Sequence, residues 1–334
     1  MKKHLLLLTA LWATSQVMAE KAYTISEDTT KVIDIEEVVV IASPKETSKL
    51  RQSPTSVSLI SQKDMQVNHI TSLKGASSIV PNFFMPDYGS RLTSAMYIRG
   101  IGSRINTPAV GMYVDNIPYL DKSAFDFNFY DIERLDILRG PQGTLYGRNT
   151  MGGLVKVHTR SPFSYQGTDV KLSYGTKNNY RSASLTHYHR ISERFAFSAG
   201  GYYEGSDGFF TNTFLNKKVD EMQAGGGRIR AIWFASDDWK FDFNVSYDYT
   251  DEGGYPYYEV NFHEFSQKKE YDPIAYNRES SYRRSLLNTG LNIEHQADNF
   301  IFNAVTGFQH LNDRMFMDQD FSPLDTYTLE QKQR

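Results

Sequence analysis

From residue 168 onward, apolar and polar positions alternate. In Trp239-Lys240-Phe241-Asp242-Phe243-Asn244-Val245-Ser246-Tyr247-Asp248-Tyr249-Thr250 every odd position is apolar or aromatic and every even one is polar. Leu287, Thr289, Leu291 and Ile293 alternate with Asn288, Gly290, Asn292 and Glu294; Phe195, Phe197, Ala199, Gly201 and Tyr203 mark another such run, and Val170, Leu172 and Tyr174 a further one. A period of two belongs to a strand with two unlike faces. The pattern predicts strands near 168–175, 179–190, 193–204, 225–235, 239–250, 282–294 and 299–310, with an eighth beginning near Tyr327. Arg190–Glu193, Ala235–Asp238 and His295–Asp298 make tight turns, whereas Gly205–Ala224 and Asp251–Ser281 are long. Short connections on one side and long ones on the other are the asymmetry of an outer-membrane β-barrel; a soluble sandwich has no need of it.

Upstream the pattern is mixed, and residues 51–162 read as a separate α+β domain. Gln62–His69 and Ser72–Ile79 have the character of short helices, the second stopped by Pro81, while Tyr97–Gly100 and Ala109–Pro118 read as strands ending in turns. The start of the chain is different again. Lys2 and Lys3, the apolar Leu5–Trp12 and the small-residue pattern Val17-Met18-Ala19 form a secretory signal (1–19). Residues 20–50 are a flexible segment apart from one β-prone run, Ile35-Glu36-Glu37-Val38-Val39-Val40-Ile41-Ala42-Ser43-Pro44. Such a run can add as a strand to the sheet edge of another protein.

Composition sharpens the picture in three places. Aromatic residues make up 14% of the chain while mean hydropathy stays negative at −0.50, which suits strands that are apolar on one face only. There is no cysteine, so an exported chain must be held by its sheets and core. The net charge of −3 argues against nucleic acid as a partner.

The most informative stretch is 132–160: Ile132-Glu133-Arg134-Leu135-Asp136-Ile137-Leu138-Arg139-Gly140-Pro141-Gln142-Gly143-Thr144-Leu145-Tyr146-Gly147-Arg148-Asn149, then Gly152-Gly153, and on to Thr159-Arg160. This ordered set resembles the end of the plug domain of TonB-dependent outer-membrane receptors. Arg99-Gly100 and the strand bearing Asp115 precede it in the family's order. Met151, Lys156 and His158 depart from the family's pattern, standing where a small residue, an asparagine and an uncharged side chain are expected. The resemblance implies a plug (51–162) and, in 163–334, the N-terminal part of a transmembrane barrel. It implies a TonB box at Glu37, Val38, Val39, Val40, Ile41 and Ala42. It also implies a latch and set of turns at Arg99, Gly100, Asp115, Glu133, Arg139, Gly140, Pro141, Gly143, Tyr146, Gly147, Gly152 and Gly153, with Glu133 and Arg139 as polar ties between plug and barrel. Plug loops 84–93, 103–108 and 119–125, with barrel loop 251–281, would face outward. Tyr88, Arg91, Arg104, Tyr119, Tyr257 and Tyr258 are the ligand-contact candidates, because aromatic and cationic side chains suit bulky anionic chelates.

The implied partners are TonB with its ExbB–ExbD motor, outer-membrane lipid and a metal chelate, first of all a ferric siderophore, with haem or cobalamin as alternatives. The implied location is the outer membrane of a Gram-negative bacterium, and the implied state a monomer. No nucleophile elbow, His-Glu-x-x-His or phosphate loop occurs, so neither enzyme activity nor a cofactor is expected. His187 and His189, two apart on a strand, share a face, and are expected to be lumen-facing polar residues rather than a metal clamp. A plugged barrel has ~22 strands, so seven or eight strands suggest a piece of a chain about twice as long. A truncated surface-binding remnant is the alternative from outside the transporter class.

Overall fold

The computed structural model describes residues 56–105, 107–258 and 273–334. The first sheet is built from β1 (Ser56–Ser61), β5 (Val110–Val114), β6 (Ile117–Tyr119), β7 (Ile132–Arg139) and β8 (Gly153–Thr159), in the order β1-β7-β8-β5-β6. β5 and β8 run parallel and the other neighbours antiparallel. β2 (Phe83–Phe84), β3 (Tyr97–Ile98) and β4 (Ile101–Gly102) make a small second sheet.

Local chemistry explains where these elements stop. Helix α1 (Gln62–Val67) starts at Ser61, whose hydroxyl accepts from the Asp64 amide while the Asp64 carboxylate accepts from the Ser61 amide, a reciprocal cap. Helix α2 covers only Leu73–Ala76, shorter than the 72–79 expected; Gly75, Ser77 and Ser78 are poor helix formers, and turns carry the chain on to Pro81. The run 109–118 is a hairpin rather than one strand. Asp115 and Asn116 both take positive φ (47° and 69°), the backbone of a two-residue turn matched to strand twist. Arg99 and Gly100 (φ 53° and 80°) do the same between β3 and β4.

The alternating sides of β5, β7 and β8 bury Met112, Val114, Leu135, Ile137, Val155 and Val157 against Ile60, Met65, Leu73 and Ala76. Leu286 and Leu311 of the next sheet join the same cluster.

That sheet has eight antiparallel strands: β9 (Gly167–Gly175), β10 (Tyr180–Ser192), β11 (Phe195–Ser206), β14 (Met222–Phe234), β15 (Trp239–Glu252), β16 (Ser281–Gln296), β17 (Ile301–Asp318) and β18 (Thr328–Gln333). The pair β12 (Thr211–Asn212) and β13 (Lys217–Lys218) lies in the long connection before β14. Residues 193–194, 235–238 and 297–300 turn tightly at one end; 207–221, 253–280 and 319–327 span the other, together with the short link 176–179.

The period of two becomes two chemically distinct faces. Leu185, Ile229, Phe243, Tyr247 and Phe308 point outward and are exposed. Asp242, Ser246, Asp248 and Thr250 point inward and are buried. At the tight-turn end Trp233 and Trp239 stack on Phe241, and His295 stacks on Trp239 with ring centres 4.2 Å apart. At the far end Tyr203 and Tyr249 flank Gly225 in one cross-strand row. From Trp239 to Tyr249 is ten residues, ~33 Å of strand at ~3.3 Å each, or ~25 Å of height at a tilt of ~40°. That is the height of the apolar band of an outer-membrane barrel. His187 and His189 share this outward face with Leu185, their rings stacked 5.9 Å apart beside Phe197, so the lumen-facing expectation is corrected.

Candidate functional site

The inward face of the eight-stranded sheet meets the α+β domain through buried charge. Arg91, in the turn Arg91–Thr93 that Ser90 introduces, is 9% exposed. Its guanidinium donates to Glu204 of β11 at 2.7 Å and lies 3.7 Å from Glu252 of β15, whose carboxylate also accepts from the Arg91 amide at 2.6 Å. Glu204 is completed by Asn128 (2.9 Å) and Tyr180 (3.4 Å). Deeper in the wall Arg228 of β14 donates to Asp131 at 2.6 Å, and Tyr202, packed on Tyr130, donates to Asp248 at 2.8 Å. Lower again, Arg230 joins Asp242 (2.7 Å) to Thr159 (2.9 Å) and Asp115 (3.5 Å). Asp115 in turn takes the amide and hydroxyl of Thr159, and Arg284 of β16 donates to the carbonyls of Ser123 and Asp126.

The domain's carboxylates respond to their surroundings individually. Burial would raise Asp126, but Lys74 at 3.0 Å and Arg91 outweigh it and hold the group below the usual carboxylate range. At Asp131 burial prevails over Arg228, with Asp115 adding to it, and the group is raised. Burial would raise Asp136 too; the hydrogen bond from His158 (2.8 Å) and the charge of Arg134 (2.7 Å) bring it below the ordinary value. His158, one of the three departures noted in the sequence, thereby acquires a partner.

Against this geometry the sequence-derived candidates divide. Asp115 sits in the wall contact. Glu133 is exposed, and Arg139 donates to the Pro81 carbonyl within its own domain (3.1 Å); the described plug-to-wall ion pairs are made by Arg91, Asp131, Asp115 and Arg160, the last with Asp169 of β9 at 2.7 Å. Gly140, Pro141, Gly143, Gly147, Gly152 and Gly153 form the turns around helix α3 (Gly143–Tyr146), and Tyr146 packs edge-on to Tyr113 at 5.2 Å. Gly153 is required there: with φ at 154°, a Cβ would strike the Leu138 carbonyl.

Of the ligand candidates, Tyr88, Arg104 and Tyr257 come together. Arg104 lies 4.5 Å over the Tyr88 ring, the Tyr257 hydroxyl donates to the Tyr88 carbonyl, and Tyr257 packs on Phe321. Tyr258 follows on the same loop, half-buried. Arg91 and Tyr119 are taken up in buried contacts. Arg91 is in the ion pairs, and Tyr119 is buried against Phe127, where burial pushes its phenol up to about 12. The run Glu37–Ala42 lies outside the described residues. Arg91, Glu204, Glu252, Asp131 and Arg228 were missed as partners because they sit 97 to 161 residues apart.

Comparison with known proteins accounts for the α+β domain and for the eight-stranded wall. Residues 49–154 match the model of the TonB-dependent receptor plug domain. The pesticin receptor of Yersinia pestis is 28% identical over 147 residues, which cover 43% of this chain and 22% of that one. The ferrioxamine B receptor of Salmonella typhimurium is 28% identical over 201 residues, covering 56% and 27%. The crystal structure of the ferric yersiniabactin uptake receptor of Yersinia pestis superposes with a TM-score of 0.68 at 20% identity, covering 78% of this chain and 42% of that one, a likeness that bears on the fold. The fold is therefore that of a plug packed inside a β-barrel wall. Residues 49–154 thus carry the plug domain of TonB-dependent receptors, and the chain spans about a quarter of the curated relatives it matches (22% and 27%). This is a family of transport receptors and not of enzymes.

Proposed function

We propose that the protein is an energy-coupled outer-membrane receptor that imports a ferric siderophore or a similar iron chelate. The observation that carries this reading is the plug itself, tied to the inner wall by buried ion pairs at Arg91, Asp131 and Asp115. A domain held in a pore by charge closes it at rest and gives way under load. Breaking one partner of a buried pair costs ~3–5 kcal/mol, large for thermal opening and small for a pulling partner. TonB, driven by ExbB–ExbD, is that partner, and Glu37–Ala42 the strand it takes by edge addition. The cluster Tyr88, Arg104 and Tyr257 receives the chelate: its aromatic faces suit a catecholate or another planar chelator, and the guanidinium its negative charge. That two relatives are named as receptors for ferrioxamine B and ferric yersiniabactin supports iron chelates as the substrate class.

The test is radioactive-iron uptake by iron-starved cells of the source organism, with the gene intact, deleted, or carrying Val39→Pro. Uptake should need the gene and collapse with a protonophore, and Val39→Pro should abolish it while leaving iron-chelate binding to the cell surface intact. Uptake indifferent to the protonophore would sink the energy-coupled reading. Uptake of cobalamin or haem in place of iron chelate would move the substrate and keep the mechanism.

A further inference from the structure

Glycine in the middle of a strand weakens it and often marks a place where another segment comes close. Gly290 of β16 and Gly307 of β17 are directly paired across the sheet, so the wall carries that weakness twice in one row. Both positions face inward, and the same plug side chain lies over both. A methyl on Gly290 would overlap Cγ1 of Ile117 and come within 2.6 Å of its Cδ1; one on Gly307 would come within 2.8 Å of its Cγ2. Each branch of the isoleucine thus occupies one glycine. A β-branched side chain has little χ1 freedom, so no rotation relieves both contacts together.

The neighbouring contacts show that the whole strand β6 lies along this part of the wall. Below Ile117, Asn292 donates to the Asp115 carbonyl at 2.9 Å; above it, the Gln309 side chain accepts from the Leu120 amide at 3.2 Å. Ile117 is 4% exposed. Unlike the arginine contacts on β11, β14 and β15, this one is apolar and shape-determined. We propose that Ile117, seated between Gly290 and Gly307, is the positioning residue that registers the plug against the barrel wall and keeps the resting pore shut. The proposal rests on the reading that the plug closes a pore.

The measurement is ion conductance of the full-length protein, purified from outer membranes and placed in planar lipid bilayers without ligand or TonB. Heat-dependent migration on gels confirms a folded barrel first. Gly290→Val fills the seat, and overpacking of this kind should raise the rate of channel openings roughly ten- to a hundredfold over the silent parent protein. The pair Gly290→Val with Ile117→Ala adds and removes three carbons, and should return conductance to near the parent level. A merely destabilised wall would be made worse by the second change. If Gly290→Val does not fold, Gly307→Ala tests the other half of the seat by the same readout. A folded Gly290→Val or Gly307→Ala protein as silent as the parent, or a leak that Ile117→Ala leaves unchanged, overturns the proposal. Because no ligand is involved, those results stand apart from the transport reading, which fails only if the parent protein shows no energy-dependent uptake.

Discussion

Replacing Arg91 with leucine removes a charged tie that engages two wall carboxylates, and the structure sets how much that should cost. The loss leaves Glu204 and Glu252 buried with their main cation gone. Breaking such a pair costs ~3–5 kcal/mol when the remaining charge is stranded. Neither carboxylate is fully stranded here. Glu204 keeps Asn128 and Tyr180, and Glu252 keeps the Ser90 hydroxyl and the residue-91 amide, which survives the substitution. The expected cost is therefore the low end, ~3 kcal/mol, or roughly a hundredfold shift in the plug's unfolding equilibrium. Since the chain has no cysteine, a single cysteine at exposed Arg148 can carry an environment-sensitive dye that reports on the plug alone. Urea titration then gives the difference by linear extrapolation. Arg278→Leu is the control: its partner Asp325 and Arg278 itself are about half exposed, and such pairs contribute ~0–1 kcal/mol. Adding Glu204→Gln to Arg91→Leu should recover part of the loss, because a neutral amide needs no cation. If Arg91→Leu proved no more damaging than Arg278→Leu, or Glu204→Gln failed to soften it, the wall would not be held by charge.

Other predictions follow from separate features. Asp136 is held below its unfolded pKa, so its contribution to plug stability is complete above the ordinary carboxylate pKa, ~4, and is lost as pH falls through the lower folded value. Urea midpoints of the parent protein should therefore drop below about pH 4, and Asp136→Asn should flatten that slope; an identical acid slope in the two proteins would count against the assignment. Phe243→Arg puts a charge on the lipid-facing band and should cost about 2–4 kcal/mol of barrel stability, read as a loss of folded barrel in lipid vesicles. Tyr88→Ala and Arg104→Ala should each weaken binding of the iron chelate to whole cells several-fold, taking ~0.5–1 kcal/mol for a cation–π contact at an exposed guanidinium; unchanged binding in both would move the ligand site elsewhere.

What the sequence could reveal depended on how local each feature was. The eight strands were legible because a period of two is a property of neighbouring residues. Their tight-turn ends came out within a few residues, whereas β17 runs on to Asp318, past the region where an apolar outer face is needed to mark it. His187 and His189 were misread although parity was available: Leu185 and Ile191, at the same parity, already marked that face as outward. Of the latch, Asp115 was among the sequence candidates, whereas the partners of Arg91 and Arg228 were not legible. Glu133 and Arg139 were candidates by resemblance to the family, yet an ion pair between plug and wall is by construction a long-range contact. Arg91 finds Glu204 across 113 residues, and nothing near either residue in the chain announces the other.

The chemistry of the wall also bears on the proposed release and return of the plug. Asp242, Ser246, Asp248, Thr250 and Asn288 line the inward face, and much of what the plug sets against them is charged or hydrogen-bonding. Moving an apolar surface off an apolar wall would cost roughly 25 cal/mol per Å² exposed, over the whole contact and with no return from solvent. Separating paired polar groups is costly only while they are dry; once water enters, it rehydrates both sides and cancels most of the loss. In the proposed transport the opened path is then wettable, as the passage of a hydrophilic chelate requires. In the proposed arrangement Ile117 supplies position, with Leu286 and Leu311 adding apolar contact, while the charged contacts supply a hold that water can replace. A wall lined instead by leucine and valine would grip the plug more tightly at rest and would neither hydrate behind it nor release it reversibly.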